Sequence, residues 1–301
     1  VAMSEVTNIA LRLTITCIIA ASLMGTVYVL TDNAKRHNES LNEEKVVQGL
    51  LGYSADHPAP EGFKVSTLYR YVLSTGDKKL LGYLLPLDQK GAIEYQLVVI
   101  DLEGRYQERI SIPGIIEVIK EDDARTQQLN SALPQGLSAR YADEVLVVSE
   151  SGNRKAYLLP GHFLGFKTTI KVILALDPNL AILGFEVLEH EEDPGLGGEI
   201  EKPYFKNQFV GKTVEVMKNI KVVKIPLPVD YRDYLEGEIL EEEARATLQQ
   251  QYAAADIHAI TGATISSDAI NNGLKNMVRK FAYRLNILES VVQQNAIPVG
   301  Y

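Results

Sequence analysis

The segment from His258 to Phe281, HAITGATISSDAINNGLKNMVRKF, gathers residue types that could bind an anion. Thr261-Gly262-Ala263-Thr264 is a small-residue turn with two hydroxyls, and Ser266, Ser267 and Asp268 are helix-capping types. From Ala269 onward Ile270, Leu274, Met277, Val278 and Phe281 follow a helical period, so a helix is expected to begin there. Lys275, Arg279, Lys280 and Arg284 fall toward its C-terminal part, where cations suit the dipole. The turn therefore feeds a helix N-terminus. Free amides and the positive dipole end favour a phosphate there, and Gly262 allows close backbone approach. Taken alone, the same residues also describe an ordinary capped helix.

A second segment, HEEDPGLGGEI at residues 190–200, follows the expected strand GFEVLEH. Pro194-Gly195 sets a rigid turn, and Gly197-Gly198 leaves backbone that can lie against a flat ring without side-chain obstruction. His190 reads either as a proton relay or as a hydrogen-bonded structural residue. Glu192 is the better candidate for a polar contact with a ring or with the loop backbone. Lys167 and Lys212 could neutralise a phosphate, or be ordinary surface lysines. The acidic run in EGEILEEEARATLQQQY, residues 236–252, reads as the solvated face of a helix, so no metal site is assigned and no residue is assigned a catalytic role.

TGAT followed by I-S-S resembles the flavinylation motif of the FMN-binding domain found in the RnfG/NqrC family. That pattern is Asp, two residues of any type, Ser or Thr, then Gly-Ala-Thr, the last Thr receiving FMN as a phosphoester. The resemblance implies covalent FMN on Thr264. It implies that a flavin transferase recognises Thr261, Gly262 and Ala263, with Ile265 and Ser266 completing the site. HEEDPGLG likewise resembles the H-x-E-T-P-G-L-G stretch of the family, with Asp193 replacing Thr, and implies that Glu192, Pro194, Gly195, Leu196 and Gly197 frame the isoalloxazine. One departure stands out: the Asp position holds His258, and Asp256, two residues earlier, could substitute only if the backbone bulges. GHFLGFKTTIKVILALD (161–177) and PYFKNQFVGK (203–212) resemble the flanking family segments, so the likeness covers about 144–284. Gly197-Gly198-Glu199 reads more like NqrC, whereas QFVGK and the TGATISS tail read more like RnfG.

The elements that must position these residues follow from the rest of the chain. Hydrophobic residues at 46% and charged residues at 23% describe a folded protein. A net charge of −9 and a pI near 5.2 argue against nucleic acid as a partner. The one cysteine, Cys17, permits neither an internal disulfide nor a thiolate cluster, so redox chemistry would need another carrier. No charge lies between Arg12 and Asp32, and the run from Leu13 to Thr31 is long enough to cross a bilayer once. An uncleaved anchor is expected. A signal peptide is the competing reading, disfavoured by the length of the run and the lack of a basic leader. Lys35 and Arg36 would place the large domain in the cytoplasm by positive-inside counting. The family resemblance implies the extracytoplasmic side of the inner membrane, which is the expectation adopted.

The expected organisation is an anchor at 1–33, a stalk at 34–62 broken by Gly52, Pro58, Pro60 and Gly62, and a membrane-proximal α+β insert at 63–143. An FMN-binding domain at 144–285 and a tail at 286–301 follow. The fold class is α+β, a β-rich body with flanking helices at 115–133, 236–252 and after the TGAT motif. Residues 71–86 leading to 95–104, and 146–160 leading to 170–179, both read as a hairpin, YLLP, then an apolar strand ending in Asp101 or Asp177. A degenerate duplication of one unit is expected, against chance likeness of two hairpins. The resemblance implies an electron carrier rather than a stand-alone enzyme, with other membrane subunits of an Rnf-type (ferredoxin:NAD, ion-translocating) or Nqr-type complex as partners. The alternatives are an NqrC-type subunit of a sodium-pumping NADH:quinone oxidoreductase, a non-flavinylated scaffold subunit, or a binding protein for free flavin.

Overall fold

The computed structural model of the chain describes residues 2–89, 92–239 and 241–301, with the backbone alone at 2–6, 29, 32–44, 89 and 92. The side chains of Lys35 and Arg36, and Leu240 within the expected 236–252 helix, lie outside the described residues. The chain forms two units, residues 1–49 and 50–301.

The first unit is helical and belongs to α1 (Ala2–Leu50). Its stretch Thr7–Tyr28 has a mean hydropathy of 1.7 and is wholly exposed. Ile9, Leu11, Leu13, Ile15, Ile18 and Leu23 project on all sides, the pattern of a helix whose solvent is apolar rather than one packed in a core. Thr14, Thr16, Thr26 and Thr31 return their hydroxyls to the carbonyl one turn back, at 2.8–2.9 Å, so these polar groups carry their own partners. The helix fits a single membrane crossing.

The second unit is built on an eight-stranded antiparallel sheet: β1 (Phe63–Thr75), β2 (Lys78–Gln89), β3 (Ala92–Ile100), β4 (Tyr106–Ser111), β5 (Ser138–Glu150), β6 (Asn153–Leu164), β7 (Thr169–Leu176) and β8 (Ile182–Glu189). The spatial order is β4-β3-β2-β1-β5-β6-β7-β8. Each half is a four-strand meander, and β1 pairs antiparallel with β5 at the centre, as in Leu68 opposite Val145. The halves are thus related by a pseudo-twofold axis normal to the sheet. The duplicated sequence falls on matched positions. YLLP lies in β2 and again in β6, and Tyr83 and Tyr157 both join the same core. Asp101 and Asp177 close β3 and β7 with the same turn: each carboxylate accepts from the amide four residues on, Arg105 and Ala181, at 2.8 Å, and each Asp amide donates to that residue's carbonyl.

Strand alternation gives the sheet two apolar faces. Tyr69, Tyr71, Leu73, Leu84 and Leu97 turn to one, which is covered by a 3-10 turn (Ile115–Val118) and α2 (Asp122–Ala132). Leu68, Leu85, Val98, Leu159 and Leu174 turn to the other. That face carries α3 (Pro203–Lys206), α4 (Val214–Asn219), α5 (Val229–Glu236), α6 (Glu242–Tyr252) and the long α7 (Thr264–Gln294). α7 buries Ile270, Leu274, Val278, Phe281, Leu285, Leu288 and Val291 along one stripe, each contributing about 1.5–3 kcal/mol of apolar burial. A two-stranded parallel pair, β9 (Val222–Val223) with β10 (Ile257–His258), lies outside the main sheet.

The structure redraws several expected boundaries. The division at 143/144 falls inside β5, so residues 63–143 supply half of the sheet that 144–285 completes. The division at 285/286 falls inside α7. The tail is also integrated: Val299 bridges Leu87, and the Asp88 amide donates to Pro298 O at 3.0 Å, using the edge of β2 that β1 has left open. Gly114, at φ 69°, precedes the 3-10 turn that splits the expected 115–133 helix. Gly237, at φ 79°, ends α5 before α6 begins.

Candidate functional site

α6 ends at Tyr252, and the chain reaches α7 through β10 and the TGAT turn. β10 has little strength of its own. Its amide Ile257 donates to Lys221 O at 2.8 Å and Ala259 to Val223 O at 2.9 Å. Asp256 Oδ1 accepts from the Lys221 amide at 2.9 Å, and His258 Nδ1 lies 2.9 Å from Ile225 O. The pairing has no bulge here: Ile257 faces Val222 and His258 faces Val223. Asp256 is therefore occupied two residues away, and His258 holds the position that precedes Thr261 by three.

The turn itself is folded back on the helix it feeds. Gly262 sits at φ +80°, a conformation that favours glycine. The Ala263 amide donates to Ile260 O at 3.0 Å. Ser267 Oγ accepts from the Ile260 amide and donates to Ala263 O, both at 3.0 Å. α7 starts at Thr264, five residues before the start expected from its apolar repeat. Ser266 and Ser267 lie inside its first turn because their side chains bond outward to other segments rather than to the helix's own amides. Ala263 occupies the N-cap and no side chain caps the helix. The first intrahelical bond is Ser267 N to Ala263 O, so the amides of Thr264, Ile265 and Ser266 precede the repeating ladder. Thr261, Gly262 and Ile265 are exposed, Thr264 is half-buried, and Ala263, Ser266 and Ser267 are buried. A hydroxyl at the open end of a 31-residue helix, with the dipole's positive end beneath it, suits a phosphate group.

The loop after β8 comes to the same place. Glu192, 5% exposed, is its pivot. Oε1 accepts from the amides of Phe166 at 2.8 Å and Lys167 at 3.1 Å, in the β6–β7 turn, and Oε2 accepts a short hydrogen bond from Ser266 Oγ. A Cβ on Gly197 would lie 2.5 Å from Glu192 Oε2 and 2.7 Å from Ser266 Oγ, so only glycine allows the loop to close on the helix. Leu196 meets Gly262, with 3.0 Å between its Cδ2 and the place a Cβ would occupy. Gly195 takes φ +73°, and the Leu196 and Gly198 amides both donate to Asp193 O. Leu164, Phe166, Leu196 and Ile265 expose apolar surface on these converging segments.

His190 has a structural place. Its Nδ1 accepts from the Glu192 amide at 3.0 Å and its Nε2 lies 3.1 Å from Glu201. Lys167 pairs with Asp193 at 2.5 Å across the rim, and that hydrogen bond raises its pKa. Lys212 does not reach a phosphate position. It is 1% exposed, and its Nζ donates to the carbonyls of Tyr252, Ala253 and Ala255 at 3.2, 3.2 and 2.8 Å. Burial pushes its pKa down to about 8. Gln208, which the motif reading did not single out, bonds both the amide and the carbonyl of His258, at 2.8 and 3.3 Å. It lies in PYFKNQFVGK, whose likeness to the flanking family segment was the available signal.

The arrangement defines a class: an α+β domain with an uncapped helix entrance for an anionic group, tied by a buried carboxylate to a glycine-rich loop. Residues 165–279 match the family described as FMN-binding domain, and over this region the chain is similar to subunits of the RnfG and NqrC type. It is 26% identical over 133 residues to the G subunit of the proton-translocating ferredoxin:NAD(+) oxidoreductase complex of Clostridium ljungdahlii, covering 44% of this chain and 57% of that protein. It is 30% identical over 129 residues to the C subunit of the Na(+)-translocating NADH-quinone reductase of Pseudomonas aeruginosa, covering 42% and 43%. The chain thus spans about half the length of these curated relatives. Among solved structures it is similar to NqrC of Shewanella oneidensis, at 16% identity and a TM-score of 0.43 over 80% of this chain and 91% of that one.

Proposed function

We propose that this chain is an electron-transfer subunit of a membrane ion-translocating oxidoreductase of the Rnf, ferredoxin:NAD type, carrying FMN through a phosphoester on Thr264. The observation that carries the reading is the position of Thr264. It is the first residue of an uncapped 31-residue helix, within TGAT, and it is linked through Ser266 and Glu192 to the HEEDPGLG loop. The amides of Thr264, Ile265 and Ser266 and the helix dipole would hold the phosphate. Thr261 and Gly262 are the exposed residues of the turn offered to a flavin transferase, with Ala263 buried behind them. Glu192, Pro194, Gly195, Leu196 and Gly197 shape the loop beside the ring. FMN, when bound, supplies one- and two-electron chemistry, and the protein supplies anchorage, position and electrostatics.

Attachment would be a phosphoryl transfer with a flavin adenine dinucleotide as donor. Thr264 Oγ1 would form the new bond to the flavin-side phosphorus as the phosphoanhydride breaks and AMP leaves, the hydroxyl proton passing to solvent. The α1 anchor keeps the domain at the inner membrane on the extracytoplasmic side, where a tethered cofactor cannot diffuse away, beside the other membrane subunits of the complex.

Intact mass and in-gel fluorescence of denatured protein test this. Protein from its native membrane should carry one FMN less water, and Thr264→Ala should be dark. An unmodified Thr264 in native protein overturns the covalent reading. Yellow colour lost on denaturation instead supports a binder of free flavin, and no fluorescence after co-expression with the transferase supports a scaffold subunit. The Nqr-type complex is a second reading, favoured by the 30% identity to the Pseudomonas aeruginosa reductase chain and by Gly197-Gly198-Glu199. The proteins that co-purify with the chain separate the two.

A further inference from the structure

The segment that delivers Thr264 is weakly structured by itself: between the end of α6 and the start of α7 its only regular element is the two-residue β10. Two buried polar side chains from residues 207–212 hold it. Gln208, 2% exposed, grips the His258 peptide on both its amide and its carbonyl. Lys212, 1% exposed, fills the C-terminal end of α6 with its ammonium, donating to three carbonyls between Tyr252 and Ala255. That is the end of a helix where a cation is favoured. The base of this clamp is the main sheet, because Gly211 N donates to Ile182 O at 2.7 Å and Ile182 N donates to Lys212 O at 3.0 Å, at the start of β8.

Stability alone does not explain the choice. Burying an ammonium costs several kcal/mol, and a well-packed apolar side chain usually serves a fold as well or better. What the lysine adds is direction: three carbonyls must point at one nitrogen, which fixes the path of residues 252–255 just ahead of the turn.

We propose that Lys212 and Gln208 are positioning residues for cofactor attachment, fixing residues 252–258 against β8 and thereby setting the place of the 261–264 turn and of the Thr264 hydroxyl. This rests on the reading that Thr264 receives the flavin phosphate. The step served is the transfer described above: the bond from Thr264 Oγ to phosphorus forms while the donor's phosphoanhydride breaks and AMP departs.

The test uses the full chain in detergent with flavin transferase and flavin adenine dinucleotide, comparing wild type, Lys212→Met, Gln208→Met and Lys64→Met. Lys64 is the control, since its Nζ also donates to a main-chain carbonyl, Gly300 O at 2.7 Å, outside the segment that leads to the turn and the strand it pairs with. Rates of FMN incorporation are read by mass, and amide exchange at Ile257, Ala259 and Ala263 reports the backbone. Lys212→Met and Gln208→Met should slow incorporation at least about tenfold, the scale of a small misplacement of a reacting group, and speed exchange at those amides. Lys64→Met should leave both within about twofold of wild type. Incorporation by both clamp variants at the control's rate overturns the proposal, as does slowed incorporation with exchange unchanged. Should Lys212→Met fail to fold, Gln208→Met carries the same two readouts. If wild type itself takes no flavin, the reading of Thr264 fails, while the exchange measurement still decides whether the clamp orders the turn.

Discussion

The Glu192 carboxylate accepts a short hydrogen bond from the Ser266 hydroxyl, joining the loop after β8 to the first turn of α7. Because its other oxygen accepts from Phe166 and Lys167, one buried carboxylate knits together three segments that are far apart in sequence. Its negative charge lies near the positive end of the α7 dipole, which offsets part of the cost of burying it. Glu192→Ala should therefore destabilise the domain by about 2–4 kcal/mol, as expected for removing a buried charged acceptor and leaving its donors unpaired. Chemical denaturation followed by circular dichroism measures this. A loss under about 0.5 kcal/mol, the range of ordinary surface substitutions, would show that the three segments are held by other means.

Gly262→Ala tests the turn. An alanine there must adopt φ +80° and place its Cβ 3.0 Å from Leu196 Cδ2. The strain is about 1–2 kcal/mol, and relief by a shift of the turn would carry Thr264 with it. The expected outcome is a modest drop in melting temperature with a disproportionate loss of covalent flavin, read from denatured-gel fluorescence against total protein. Equal loss of both would assign the glycine to folding alone.

Lys212 gives a pH dependence with a definite sign. Its folded-state pKa is pushed down to about 8 by burial, with Asp256 acting in the opposite direction, while an unfolded lysine titrates near 10.4. Between those values the unfolded state binds more protons, so stability rises with pH across the window. At and below pH 8 the penalty for the buried charge remains. Burial raises the pKa of nine tyrosines, so their ionisation in the unfolded chain works against folding as pH nears 10, and the lysine is read as the difference between wild type and Lys212→Met in denaturant midpoints at pH 8.0 and 9.5. The change between those pH values should favour wild type over Lys212→Met by on the order of 1–2 kcal/mol. Parallel profiles of the two proteins would mean that the ammonium is better compensated than its burial suggests.

Much of this was legible because it is local. The TGAT and HEEDPGLG segments carry turn chemistry in adjacent residues, and the two YLLP units repeat a pattern that the sheet places in β2 and β6. Boundaries were less legible. The pairing of β1 with β5 joins residues that are 64 to 87 positions apart, so a pattern read along the chain separates 63–143 from 144–285 although one sheet holds both. The start of α7 was misplaced for a related reason. Ser266 and Ser267 are capping types, yet their hydroxyls serve Glu192 and Ile260, partners that local spacing does not reveal. Lys212 had the same ambiguity: a lysine in a loop motif gives no sign that three carbonyls some forty residues later will bury it.

The departure at His258 yields the last prediction. The family pattern has an acid at this position, and the structure leaves no route for Asp256 to take its place, because β10 pairs without a bulge and Asp256 is engaged by the Lys221 amide. The backbone of His258 is held by Gln208 whatever its side chain, so substitution should not move the turn. The ring makes a single hydrogen-bond contact, at Ile225 O, whose loss costs about 0.5–1.5 kcal/mol. His258→Asp should therefore fold, with a small fall in stability, and accept FMN from the transferase faster than wild type. Single-turnover incorporation followed by mass separates the outcomes. A faster rate assigns the acid to recognition by the transferase. A rate equal to wild type would show that the geometry around Thr264, rather than the side chain six residues before it, governs modification in this chain.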